Sequence, residues 1–109
     1  MKKKTFIVTG GTGFIGSNIC NLLVKKKHKV IIFDNNSRGR FKRIKNLKGK
    51  IKFIKGDIRN KRSFDKAFKN NVDAVIHLAY VNGTKYFYTK PVLTLDIAVK
   101  GIMNVIDSC

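Results

Sequence analysis

Glycines crowd one short stretch near the start of the chain, which runs from Gly10 to Gly16 and reads GGTGFIG. It follows a β-branched and aromatic segment, Thr5 to Thr9, and precedes a segment from Phe14 to Lys26 whose apolar residues recur at helical spacing. A strand that turns on glycines directly into a helix is typical of a β-α-β unit. The chain is therefore predicted to have an α/β fold built on a parallel sheet.

The spacing of these glycines indicates a phosphate-binding turn. Gly10, Gly13 and Gly16 satisfy G-x-x-G-x-x-G, and Gly11 begins an overlapping G-x-G-x-x-G. In such a turn one glycine makes the tight bend, another lets a diphosphate approach the backbone, and a third lets the helix pack closely. The helix N-terminus then offers N–H groups and partial positive charge. A P-loop is excluded because Ser17 stands where its lysine is required.

An acidic residue, Asp34, closes the second predicted strand, Val30 to Phe33. In a dinucleotide-binding unit a carboxylate at this position accepts hydrogen bonds from the adenosine ribose hydroxyls and repels a 2′-phosphate. This predicts NAD as the cofactor, with NADP less favoured, although Arg38 and Arg40 follow closely and could bind a phosphate. The alternative interpretation of Asp34 is a turn-forming or capping residue.

The remainder of the chain continues the alternation of strands and helices. The predicted elements are a third strand from Ile51 to Ile54, a helix from Ser63 to Phe68, a fourth strand from Val72 to Leu78 and a last helix that Pro91 opens. The polar segment from Arg38 to Lys50 is predicted to be a loop with one or two helical turns. The last helix is predicted to face inward with Leu95, Val99, Ile102, Met103 and Ile106. Helices are expected on both faces of the sheet.

Charge and cysteine content limit the possible partners. The chain has 24 Lys and Arg against 6 Asp and Glu, a formal net charge of +18. The basic residues are scattered between apolar runs, so a compositional bias is preferred over a nucleic-acid interface. Two Cys form neither a disulfide framework nor a four-ligand zinc site, and no metal is expected.

Glycines interrupt any signal peptide, and no stretch approaches the roughly 20 apolar residues that span a bilayer. A cytoplasmic location without a membrane partner is predicted.

A few single residues carry separate predictions. Cys20 is expected to be a buried small apolar side chain. His28 lies among lysines and is expected to be exposed. His77 is interpreted as a hydrogen-bonded residue at a strand end rather than an acid–base catalyst. For the aromatic cluster, stacking on a base or sugar and filling space over the sheet edge stay equally open; its members are Tyr80, Tyr86, Phe87 and Tyr88.

Four segments follow one another in a recognisable order: Thr9 to Ser17, Asp34 to Gly39, Gly56 to Arg59 and His77 to Ala79. Pro91 and a Gly101-x-x-Asn104 pattern come after them. Together these segments resemble the NAD-dependent epimerase/dehydratase family, the extended branch of the short-chain dehydrogenases/reductases. That family acts mostly on nucleotide sugars.

The resemblance implies a Rossmann-type sheet with strand order 3-2-1-4. It implies that Asp57 and the backbone of Ile58 contact adenine, and that the segment after the fourth strand lines the cofactor near the nicotinamide ribose. The cofactor-binding residues predicted in this way, together with the turn and Asp34, are Gly10, Gly13, Phe14, Ile15, Gly16, Asp34, Asn35, Asp57, Ile58, Leu78 and Ala79. The expected reaction of the parent is transient hydride transfer from a nucleotide sugar to NAD, and a homodimer is possible for it.

The family's catalytic Ser or Thr and its Tyr-x-x-x-Lys have no assigned counterpart. Tyr86 and Lys90 match the spacing, but they precede the last helix, whereas the family's pair lies on a helix after a fifth strand. The match is therefore interpreted as chance. Residues 1–109 are predicted to be the N-terminal part of an NAD(P)-binding domain, inactive alone. A non-catalytic cofactor- or nucleotide-sensing module and a basic nucleic-acid-binding protein remain the alternatives.

Overall fold

The four strands lie side by side in one parallel sheet. A computed structural model describes residues 2–35, 41–47, 49–69, 71–79 and 88–109. The strands are β1 (Thr5–Thr9), β2 (Lys29–Asp34), β3 (Ile51–Lys55) and β4 (Ala74–His77). Their order in the sheet is β3-β2-β1-β4, and each neighbouring pair is parallel. The predicted fold class and strand order are confirmed.

Helices connect the strands. They are α1 (Phe14–Lys25), a 3₁₀ helix (Phe41–Leu47) in the segment predicted as a loop, α2 (Lys61–Asp65) continued by a 3₁₀ turn (Lys66–Lys69), and α3 (Pro91–Ser108). Asn60 caps α2 because its side chain accepts a hydrogen bond from the backbone N–H of Ser63 at 3.2 Å. Pro91 begins α3, as predicted, since a first-turn residue needs no N–H donor.

Two hydrophobic cores lie on opposite faces of the sheet, because successive strand residues point to opposite sides. One core packs Ile7, Ile31 and Phe33 of the strands against α2 and α3. The other packs Val8, Val30 and Ile32 against α1 and the 3₁₀ helix. Helices therefore cover both faces, as predicted.

Cys20 lies inside the core between α1 and the sheet, where it is fully buried. Burial, together with the nearby charge of Asp34, raises the pKa of its thiol to about 12. The thiol is therefore neutral, and the prediction that Cys20 is a small apolar core residue is confirmed.

The prediction for the inward face of α3 is wrong. Its buried residues are Thr94, Gly101 and Val105. The side chains predicted to face inward are instead exposed: Leu95, Val99, Ile102, Met103 and Ile106, with exposed fractions between 41% for Ile102 and 65% for Ile106. The helix packs closely against the segment after β3, because Gly101 has no Cβ and lies directly against the side chain of Ile58. Apolar spacing shows that a helix has an apolar stripe but does not show which structure covers it.

The expectation that His28 is exposed is also wrong. His28 is only 8% exposed, its Nδ1 accepts a hydrogen bond from the backbone N–H of Lys4 at 3.1 Å, and its ring meets the ring of Phe6 edge-on at 5.2 Å. The cause is the chain reversal after α1, where Lys27 has a φ of 70°. That left-handed residue turns the lysines outward and His28 inward.

Candidate functional site

Three glycines of the turn between β1 and α1 are required by close packing around the turn. Gly10 has a φ of +73°, and a Cβ on it would lie 3.0 Å from the carbonyl carbon of Leu78. A Cβ on Gly11 would lie 2.6 Å from a side-chain carbon of Ile32. A Cβ on Gly16 would overlap the carbonyl oxygen of Gly10. These glycines let the turn, α1 and the loop after β4 come within backbone contact of one another.

Gly13 differs from the other three, because a single backbone atom of the described residues lies close to the position of its missing Cβ. Among the described residues, the one atom within 4 Å of a Cβ on Gly13 would be the carbonyl oxygen of Gly10, at a tight 3.2 Å, and the φ of −71° suits any residue. It is the N-cap of α1, yet no side chain caps this helix and its first turn holds no acidic residue. The first N–H groups of a helix have no acceptor within it, and they carry partial positive charge. The N-terminus of α1 can therefore receive an anion.

The residues directly after Gly13 leave this end of the helix accessible. Phe14 and Ile15, both predicted to bind the cofactor, are 72% and 63% exposed. Apolar side chains at that level of exposure are available to pack against the flat or apolar parts of a ligand.

Asp34 lies at the end of β2 and turns its carboxylate toward the glycine-rich turn. One carboxylate oxygen, Oδ2, accepts hydrogen bonds from the backbone N–H of Thr12 at 3.0 Å and from its hydroxyl at 2.5 Å. Both residues are buried. Nη1 of Arg43 donates to the carbonyl oxygen of Thr12 at 3.3 Å. Asp34 therefore fixes the glycine-rich turn.

Of the other residues predicted near the ribose, some lie within the described residues and some do not. Asn35 follows β2 and is exposed. Arg38 and Arg40, the alternative phosphate ligands, lie outside the described residues. So do Tyr80, Tyr86 and Phe87 of the aromatic cluster, whereas Tyr88 is 75% exposed.

The Thr9 hydroxyl joins the ends of β1 and β4. Its Oγ1 accepts hydrogen bonds from the backbone N–H groups of Leu78 at 2.8 Å and Ala79 at 3.0 Å, which occupies both lone pairs. Oγ1 also lies 2.8 Å from Nδ1 of His77. This leaves the hydroxyl proton for Nδ1, an arrangement that favours the neutral tautomer of His77 with its proton on Nε2. His77 is hydrogen-bonded at a strand end, in line with its interpretation from the sequence.

We expect His77 to take up its proton at a lower pH than an ordinary histidine. Burial lowers its pKa from the ordinary 6.5, since the charged form loses hydration. The unfolded chain then takes up a proton at higher pH than the folded chain, so stability is complete above pH 6.5 and falls as the pH drops below it. Nitrogen-15 NMR of the imidazole should show the Nε2-protonated tautomer and a midpoint below 6.5. A proton on Nδ1 would contradict the hydrogen-bond assignment.

The segment after β3 is held against α3. The carboxylate of Asp57 accepts hydrogen bonds from the backbone N–H of Arg59 at 2.9 Å and from its guanidinium, with Nη2 at 2.6 Å. This pairing lowers the pKa of Asp57. Ile58 is buried, and its carbonyl oxygen accepts from Nδ2 of Asn104 at 2.9 Å. Asp57 and Ile58 are therefore presented on a fixed backbone.

The sequence predicted candidate site residues but not three side chains that hold them in place: Thr9, Thr12 and Arg59. All three lie inside the segments that resemble the family, Thr9 to Ser17 and Gly56 to Arg59. The roles of these side chains could not be predicted, because each one forms its hydrogen bonds with the end of another strand or with a nearby carboxylate. A threonine at the end of β1, in register with His77 of β4, was the one usable signal.

All of the placed site residues lie at one edge of the sheet. Asp34 is the last residue of β2, whereas Gly10, Asp57 and Leu78 each come one or two residues after a strand, and parallel strands end at the same edge. The strand order puts β1 between β2 and β4, so the glycine-rich turn sits centrally. In the part of the chain that the structure describes, no cluster of three His, Cys, Asp or Glu could hold a metal ion. The described helices include none with the length and apolarity to cross a membrane.

Sequence comparison agrees with this architecture. The sequence model of the NAD dependent epimerase/dehydratase family matches residues 6–109. The chain belongs to this family. The resemblance of the four segments is thereby confirmed, as is the Rossmann-type fold.

Individual family members show how far the likeness extends. The chain is 36% identical over 106 residues to UDP-N-acetyl-alpha-D-glucosaminuronate decarboxylase of Bacillus cytotoxicus, covering 97% of this chain and 33% of that protein. It is 38% identical over 103 residues to UDP-glucose 4-epimerase of Neisseria meningitidis, covering 90% and 30%. A solved UDP-glucose 4-epimerase of Thermus thermophilus in complex with NAD has a TM-score of 0.88 at 31% identity, covering 96% and 33%. The chain spans about a third of the length of these relatives.

Proposed function

We propose that this chain is the NAD-binding portion of a nucleotide-sugar epimerase/dehydratase-type oxidoreductase. The observation that carries the proposal is the uncapped N-terminus of α1 behind Gly13, with the Asp34 carboxylate fixed on the same turn. A diphosphate at the helix end and a ribose at the carboxylate are adjoining parts of one dinucleotide. Membership of the family and the likeness to a relative solved with NAD support this choice.

Each predicted residue has a distinct role in this proposal. The N–H groups following Gly13 bind the diphosphate, and Asp34 accepts hydrogen bonds from the adenosine ribose. Asp57 accepts from the adenine amino group, and the backbone of Ile58 contacts the same ring. Leu78 and Ala79, fixed by Thr9, line the cofactor near the nicotinamide ribose. When bound, NAD supplies the hydride acceptor, and these residues supply its binding and orientation.

The substrate and the catalytic step belong to a protein of the relatives' length. We propose that it acts on a nucleotide sugar, because the relatives are named for such substrates, and that residues 1–109 form part of its NAD-binding domain and are inactive alone. The comparisons support neither a cofactor-sensing module nor a nucleic-acid-binding protein. Retention of NAD affinity in about 200 mM salt, where phosphate-backbone binding weakens steeply, would distinguish cofactor binding from polyanion binding. The homodimer and the cytoplasmic location stay predictions.

Replacing Asp34 with asparagine tests the preference for NAD. Asparagine keeps the side-chain shape and an acceptor oxygen for Thr12, but it loses the charge that strengthens hydrogen bonds to the ribose and repels a 2′-phosphate. We expect NAD affinity to fall about tenfold and NADP affinity to stay or rise. Isothermal titration calorimetry with both dinucleotides measures the change.

The matched control is Thr12→Val, which removes the hydroxyl bonded to Asp34 but keeps the carboxylate. It is expected to lower stability by about 1 kcal/mol and to leave the NAD-to-NADP preference in place. Equal losses for both dinucleotides in Asp34→Asn would mean that another group reads the ribose.

A further inference from the structure

We propose that Arg59 is a positioning residue for adenine recognition, which holds the Asp57 carboxylate as an acceptor for the adenine amino group and is itself held by Asp96 of α3. The inference rests on the proposed function, because it assumes that adenine lies at Asp57. It adds a residue that does not itself need to touch the cofactor.

The geometry singles out Arg59 among the cations of this region. Its Nε lies 3.1 Å from each oxygen of the Asp57 carboxylate, its Nη2 lies 2.6 Å from Oδ2, and its backbone N–H donates to Oδ1 at 2.9 Å. Its remaining nitrogen, Nη1, donates to Oδ2 of Asp96 at 3.0 Å. One planar guanidinium thus spans two carboxylates from different elements, which a lysine cannot reproduce.

This arrangement has consequences for a ligand. A carboxylate that faces water rotates freely, whereas three donors from Arg59 fix the plane of Asp57. They also favour its ionised form, which accepts hydrogen bonds and cannot donate one. An adenine amino group, a donor, suits such a partner. The carbonyl oxygen of hypoxanthine at the same ring position would face a negative charge and is disfavoured.

The second carboxylate connects the adenine segment to α3. Asp96 also pairs with Lys100 at 2.9 Å, so its own position on the helix is fixed. Farther along α3, Gly101 lies against Ile58 and Asn104 bonds its carbonyl oxygen. These contacts hold Ile58, while the Arg59–Asp96 pair holds Asp57. The two adenine-contacting residues therefore have separate anchors on one helix.

The test compares NAD with nicotinamide hypoxanthine dinucleotide, which replaces the adenine amino group by a carbonyl oxygen. We expect the unsubstituted 109-residue chain to prefer NAD by about tenfold, the value of one charge-assisted hydrogen bond. Arg59→Met should reduce this preference to about twofold or less. Arg59→Lys keeps the charge but loses the planar pair of donors. Its preference for NAD should therefore lie closer to that of Arg59→Met than to that of the unsubstituted chain, when the affinity ratios are compared as logarithms. Asp96→Asn should give an intermediate loss.

The matched control is Lys61→Met, which removes a neighbouring cation that pairs with Asp65 and not with Asp57. It should leave the preference unchanged. Circular dichroism verifies that each variant is folded, and if Arg59→Met is not, Arg59→Lys and Asp96→Asn decide. Equal weakening of both dinucleotides, or no weakening, would overturn the role of Arg59 while the proposed function stands. If the unsubstituted chain binds neither dinucleotide, the proposed function fails and the inference with it.

Discussion

Replacing Gly16 with alanine is expected to lower the stability of the protein strongly. The added Cβ would overlap the carbonyl oxygen of Gly10 and lie 2.9 Å from its carbonyl carbon. Both are backbone atoms, so no side chain can rotate away. Gly10 in turn lies against the backbone of Leu78 and cannot retreat. We expect a loss of about 3 kcal/mol or more, a large part of the stability of a domain of this size.

Thermal unfolding followed by circular dichroism measures this effect. A loss of about 3 kcal/mol corresponds to a fall in Tm of about 12 °C or more. Gly13→Ala is the matched control, because it adds the same methyl group three residues earlier on the same turn. A Gly16→Ala variant with an unchanged Tm would show that α1 can move away from β1, and the close packing assigned to Gly16 would be incorrect.

The second large effect is on binding rather than on folding. Gly13→Ala is expected to stay folded, because the backbone angles suit alanine and the new Cβ would meet one atom of the described residues, the carbonyl oxygen of Gly10 at 3.2 Å, which needs a shift of a few tenths of an ångström at most. The same Cβ would lie at the N-cap of α1, beside the N–H groups that the proposal assigns to the diphosphate. A diphosphate would then be held away from the N–H groups, and charge-assisted hydrogen bonds would be lost. We expect NAD affinity to fall about 100-fold, which is about 2.8 kcal/mol.

Calorimetric titration with NAD tests this expectation, with circular dichroism on the same sample to show the fold. Gly13→Val, whose side chain is larger, should abolish measurable binding. Unchanged NAD affinity in a folded Gly13→Ala variant would refute the placement of the diphosphate at this helix end. A variant that loses its fold would instead show that the room beside Gly13 is smaller than its neighbours indicate.

The two glycine variants separate what the turn does for the fold from what it does for a ligand. The residues of the turn are contiguous, yet a Cβ on Gly16 would overlap the backbone of Gly10, whereas a Cβ on Gly13 would make a single close contact among the described residues. A motif written as G-x-x-G-x-x-G does not carry this distinction. The role of each glycine depends on the positions of Gly10 and Leu78 around the turn.

Much of the fold could be predicted because it depends on local patterns. Buried parallel strands are short apolar runs, and β1 was predicted with its observed bounds, Thr5–Thr9. The other strands differ at their ends by one or two residues, since pairing with a neighbouring strand decides where a ladder stops. Ile44 and Leu47, two of the anchors in the predicted loop, are buried by the 3₁₀ helix.

The sequence by itself determined the alternation of strands and helices, the glycine-rich turn and the acidic end of β2, because each is set by neighbours along the chain. Tertiary structure alone decided which face of α3 is buried, why His28 lies inside, and which partners hold Asp34 and Asp57. Those outcomes depend on contacts between distant segments, such as Arg59 with Asp96, 37 residues apart. Side-chain spacing along one element carries no information about the surface that another element brings to it.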